Sequence, residues 1–199
     1  TNLLSIGGEQ ENPYFGASVD LDQGFLVVGA PHKALTNAPC FSGAIYLWPY
    51  GNFSGPPVYI PNPFGEADCE NVDGGGSFGS AVAVHGGGGV IVAGAPGSGE
   101  PSTPMSGYAW LFDINQGLQP TPLIPMDQQP GDWFGKSIAI GNGGTVVVGA
   151  PGSDFFGVNS GIAWRFGADG RASEALMLEN ISNQARLGSS VAANSGSTR

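Results

Sequence analysis

The sequence predicts an all-β chain of four-stranded antiparallel units, a β-propeller segment of about three and a half blades. Three observations carry this. A set of three short elements recurs in fixed order three times along the 199 residues. Each element is rich in Val, Ile and aromatic residues and bounded by Gly, Pro, Asn or Asp, as strands are. No window shows an apolar period of 3.6 residues, so almost no helix is expected.

The first element is Tyr14-Phe15-Gly16-Ala17-Ser18-Val19. It returns as Ser77-Phe78-Gly79-Ser80-Ala81-Val82 and as Trp133-Phe134-Gly135-Lys136-Ser137-Ile138. A weaker copy is Arg186-Leu187-Gly188-Ser189-Ser190-Val191. The second element is Val27-Val28-Gly29-Ala30-Pro31, then Val92-Ala93-Gly94-Ala95-Pro96, then Val147-Val148-Gly149-Ala150-Pro151. Short joints rich in Gly, at 20–24, 85–89 and 141–144, connect the first element to the second and suit tight hairpins. The third element starts at Gly43, Gly107 and Gly161 and runs to Trp48, Phe112 and Phe166. A fourth strand fits at 58–60, 123–125 and 175–178, and residues 3–6 stand at the matching distance before Phe15.

The repeats therefore span about 3–48, 58–112, 123–166 and 175–193, within one segment covering 1–199. One opening strand, three sets of four and a closing strand at 187–193 make fourteen. Such a stack leaves apolar faces and unpaired edges at its ends. Remaining blades of a longer chain, or further copies of this one, are the expected partners.

Each motif residue has a physical reason. The ring of Phe15, Phe78 or Phe134 wedges between neighbouring sheets, a burial that stabilises by about 2–3 kcal/mol. The glycine after it, Gly16, Gly79 or Gly135, admits a backbone approach that a Cβ would block. Gly29-Ala30, Gly94-Ala95 and Gly149-Ala150 keep the second strand thin, and Pro31, Pro96 and Pro151 end its ladder.

Phe-Gly followed by Gly-Ala-Pro resembles the FG-GAP repeat, the blade unit of integrin alpha-subunit propellers. The likeness covers nearly the whole chain. It implies seven-bladed propellers at the cell surface or in secreted proteins, with loops that mediate adhesion or ligand binding. Some blades of that family hold calcium between the first two strands. The corresponding joints here are too short and too poor in carboxylates, so this chain resembles the calcium-free variety and no cofactor is expected.

Composition narrows the function. Lys plus Arg is 6 against 16 for Asp plus Glu, a net charge of −10. Six cations cannot form a phosphate-neutralising stripe, which argues against nucleic acid. No apolar run is long enough to span a bilayer. Cys40 and Cys69 map to the same edge of adjacent blades and are expected to form a disulfide. Asn52 and Asn180 begin glycosylation triplets at loop positions. Together these features point to a secreted or cell-surface glycoprotein.

Catalytic constellations are weak. Gly75-Gly76-Ser77-Phe78-Gly79 fits the nucleophile-elbow pattern, but no helix should follow and the repeat already explains Phe78-Gly79. The tetraglycine 86–89 lacks the Lys-Ser/Thr of a phosphate cradle. His32 and His85 should fall on opposite faces and share no metal. Glu66, Asp68, Glu70 and Asp73 are the candidate calcium ligands, at a spacing that matches no standard loop. Trp48, Trp110 and Trp164 take repeated third-strand positions; core packing is expected, and sugar stacking is the alternative. The expectation is a non-catalytic structural or interaction module making protein–protein contacts. A lectin-like propeller is the alternative, and a propeller hydrolase ranks third. The loops after Gly-Ala-Pro, at 32–42, 97–106 and 152–160, should carry any binding.

Overall fold

A computed structural model describes residues 14–34, 41–65, 76–171, 174–176, 178 and 180–194. Within them the chain forms three four-stranded antiparallel sheets. The first holds β1 (Ser18–Asp22), β2 (Phe25–Ala30), β3 (Ala44–Trp48) and β4 (Val58–Pro61). The second holds β5 (Ala81–His85), β6 (Val90–Ala95), β7 (Tyr108–Asp113) and β8 (Pro120–Leu123). The third holds β9 (Ser137–Ile140), β10 (Val146–Ala150), β11 (Ile162–Phe166) and β12 (Glu174–Leu176). Two single-turn 3-10 segments, Ile114–Gln116 and Asn142–Gly144, are the helical content of the described residues. Strand order within each sheet is chain order, and the sheets do not close into a ring.

Hydrogen bonding groups the strands with an offset from the sequence repeats: β4 pairs with β3, ahead of it in the chain. Phe-Gly lies outside the first strand. It forms a turn in which the N–H of Ala17, Ser80 or Lys136 reaches the carbonyl of Tyr14, Ser77 or Trp133 at 3.1 Å. Gly16, Gly79 and Gly135 take φ of 89°, 91° and 88°, and the strand begins after them. Residues 187–193 form no strand; Leu187 makes one parallel bridge to Gly161. The equivalent strands β1, β5 and β9 each pair with a Gly-Ala strand, whereas residues 187–193 pair with none among the described residues. The second sheet's outer strand sits at 120–123 rather than 123–125. Residues 3–6, Cys40 and Cys69 lie outside the described residues.

The sheets stack. β1 lies beside β5 and β5 beside β9, so the first strands line one side and the fourth strands the other. Between the first two sheets, Val27, Ile45 and Leu47 meet Phe78, Ile91 and Phe112. Between the second and third, Val92 and Leu111 meet Phe134, Val148 and Phe166. Alternate residues of β3 serve opposite faces: Tyr46 and Trp48 pack away from the second sheet, with Phe15. Burial on both sides explains why the middle strands read as unbroken apolar runs.

Adjacent sheets touch through backbone. A Cβ placed on Gly29, Gly94 or Gly149 would fall inside the carbonyl of Gly79, Gly135 or Gly188 in the next repeat. Gly43, Gly107 and Gly161 meet the carbonyls of Phe78, Phe134 and Leu187 in the same way. The N–H groups of Phe78, Phe134 and Leu187 donate to the carbonyls of Ser42, Ser106 and Ser160 at 3.1, 3.0 and 2.8 Å. Ser18 and Ser137 add hydroxyl donors to Gly79 and Gly188, at 2.8 and 2.7 Å.

Phe78 and Phe134 are fully buried. Chemical denaturation of Phe78→Ala and Phe134→Ala should show losses of about 3–5 kcal/mol each. Gly94→Ala should cost about 3 kcal/mol, since no flexible side chain is there to yield. Near-native midpoints would contradict this packing.

Candidate interaction edge

The loops that follow the Gly-Ala strands close on themselves by one repeated bond. The N–H of Gly43, Gly107 or Gly161 donates to the carbonyl of Lys33, Ser98 or Ser153, at 3.0, 2.9 and 2.9 Å. Each loop is thereby pinned at its base. In the second and third loops the tips meet the segment leading into the next Phe-Gly or Leu-Gly. Gly131 and Trp133 donate to Pro104 and Met105, and Gln184 and Arg186 donate to Val158 and Asn159. The structure thus assembles these loops and the approaching segments along one edge of the stack.

That edge presents apolar side chains to solvent. Tyr14, Phe41, Met105, Phe155 and Val158 are all exposed, Tyr14 at 65%. Tyr14 rests on the His32 ring at a centroid distance of 4.3 Å, and Phe41 lies 5.5 Å beyond His32. Tyr14, Ser77, Trp133 and Arg186 take φ of 70°, 58°, 56° and 52°, a region that large side chains avoid. Four equivalent positions share this strain, which aims each side chain out of the Phe-Gly turn.

Asp132 is the edge's buried charge, 4% exposed. Its Oδ2 accepts from the N–H of Gln129 at 2.8 Å, and its carbonyl accepts from Gly152 at 3.0 Å. Burial raises its carboxyl pKa to about 6, and the charges of Asp127 and Asp154 push the same way. The hydrogen bonds from Gln129 and Ser153 pull it back in part.

The sequence-predicted sites distribute as follows. Glu66, Asp68, Glu70 and Asp73 lie outside the described residues, as do both cysteines. Asn52 and Asn180 are exposed in loops. His32 belongs to the aromatic cluster, whereas His85 ends β5 with its Nδ1 3.6 Å from Asp22. Ser77 sits in the Phe-Gly turn and leads into strand β5, the wrong context for a nucleophile elbow. Trp48, Trp110 and Trp164 are buried, so these three rings offer sugars no stacking face. Sequence reasoning missed Ser42, Ser106 and Ser160, all fully buried at the joints between sheets. A recurring Ser-Gly before each third strand was the available signal. Asp132 had none, because Gly76 holds the equivalent place in the second repeat.

Residues 119–166 match the family model of the FG-GAP repeat. This chain carries an FG-GAP repeat. The matched segment runs from β8 through the Phe134–Gly135 turn to the end of β11. Among solved structures, the crystal structure of the computationally designed Ika4 protein matches with a TM-score of 0.43 and 16% identity, covering 89% of this chain and 98% of that one. The comparison with curated proteins returns no match.

Asp132 makes stability depend on pH. Its folded pKa lies above the unfolded value of about 3.9, so protonation favours the fold. Stability therefore falls as pH rises from about 4 to 6, by up to about 3 kcal/mol from this group. Melting curves should show Asp132→Asn gaining over the parent at pH 7.5 and losing that advantage by pH 4. An equal difference at both pH values would contradict the assignment.

Proposed function

We propose that the three sheets are blades of a β-propeller and that the chain is a non-catalytic interaction module of the cell surface or extracellular space. The observation that carries this reading is the line of exposed apolar side chains along the pinned loop edge. Exposed apolar side chains on loops held by a rigid scaffold mark contact surfaces. FG-GAP repeats occur in extracellular protein-interaction modules, which agrees with it. The carboxylates and the low count of Lys and Arg favour protein partners over nucleic acid.

Further sheets complete the stack in this reading, from more of the same polypeptide or from other copies. Leu187 and Gly188 already seat against the third sheet as Phe78 and Gly79 do against the first. Native mass spectrometry of the intact natural protein should give a mass well above 20.2 kDa. A stable, isolated monomer of that mass would overturn the half-propeller.

A second reading rests on the Tyr14–His32–Phe41 cluster, whose exposed rings suit sugar stacking. Immobilised protein presented with soluble cell-surface proteins and with a glycan array separates the two. Saturable protein retention, lost in the Met105→Ser/Val158→Ser variant, is the expected result. Glycan-specific retention lost with Tyr14→Ser would replace the module reading with a lectin.

A further inference from the structure

The outer edges of the three sheets differ. In the first, β4 is preceded by Pro56 and Pro57 and ends in Pro61. In the second, β8 contains Pro120 and Pro122, paired with Phe112 and Trp110. Proline cannot donate to a ladder, so natural sheets use it to block exposed edges. The third sheet ends in β12, Glu174-Ala175-Leu176, and the chain has no proline after Pro151. Its outer edge is open to another strand.

A cavity of about 780 Å³ lies at that edge. Glu174, Ala175 and Leu176 all line it. Successive strand residues point to opposite faces, so a cavity lined by all three wraps the free edge rather than lying over one face. Met126 and Phe155 supply the exposed apolar and aromatic wall, with the buried Trp164 behind them, and Asp127 supplies a carboxylate. Glu174 is engaged by Arg165, with Nε to Oε2 at 2.9 Å. Asp127 accepts from the neutral side-chain amide of Gln129 at 2.7 Å, a partner that brings no opposing charge.

We propose that β12 is a strand-addition site for an extended peptide segment of another protein, one that alternates basic and apolar residues. Backbone pairing along an open edge supplies the affinity, and pockets for alternate side chains supply the selection. Apolar side chains of the segment enter between Phe155 and Leu176, while a basic one reaches Asp127 and the aromatic wall. The net charge of −10 draws such a segment in. This deepens the interaction-module reading, on which it rests, by giving one partner class and a place that adjoins the loop edge at Phe155.

The probe is the capped peptide Lys-Val-Lys-Val-Lys-Val, titrated calorimetrically into the full chain. Two control peptides accompany it, one with Glu for Lys and one N-methylated at alternate residues. Saturable binding is expected, with affinity at least tenfold weaker for both controls and severalfold weaker with Asp127→Asn. Amide exchange should slow at residues 174–176 and stay unchanged in the loop at 97–106. Equal binding of the N-methylated peptide, protection elsewhere, or no binding would overturn the proposal. If the peptide fails while protein retention by the loop edge persists, only the strand-addition site falls. If both fail, the module reading falls with it.

Discussion

Sheet-to-sheet spacing in this chain is set by bare backbone. Gly29, Gly94 and Gly149 each stand against a carbonyl of the following repeat, with no room for a methyl group between them. The glycine carbonyls of Gly79, Gly135 and Gly188 face those surfaces, while the preceding Phe or Leu binds the Ser carbonyl of the previous sheet. The large rings follow from this contact. Once two backbones touch, the space beside them has a fixed width, and Phe78 and Phe134 fill it. A side chain at the glycine would separate the sheets and open a void around every ring nearby.

The motif made much of the fold legible. Gly followed by Ala and Pro marked where β2, β6 and β10 end, at Ala30, Ala95 and Ala150. Placing Phe-Gly inside the first strand was wrong because hydrophobicity does not show dihedral angles. The positive φ of Gly16, Gly79 and Gly135 turns the chain before the ladder starts. Outer strands were harder to place. β8 contains Pro120 and Pro122, which strand patterning argues against, yet both fit an edge whose N–H groups face outward. The loop edge was readable as a location. Its chemistry was not, since Asp132 owes its raised pKa first to burial, which no residue pattern around it announces.

The three sheets are not interchangeable. Register pairs Leu47 with Val58 and Leu111 with Thr121, but Arg165 with Glu174 at the same place in the third. The face beyond the third sheet therefore carries an exposed ion pair where the first two sheets bury leucine. At the opposite end, Val19 and Leu21 of β1 remain exposed. The stack thus has a direction, apolar at one end and partly polar at the other.

The Gly-to-Gly joint also bears on how such an array grows over generations. Its donors and acceptors are peptide groups that every amino acid possesses, and its steric demand is the absence of a side chain. A duplicated unit arrives with its half of the joint already built and needs no matching change in its neighbour. Loops between units then diverge at little cost to the seam, as the differing lengths and compositions of 32–42, 97–106 and 152–160 illustrate. Inheritance by copying is easiest where, as here, the hinge of the design is written in atoms that mutation cannot exchange.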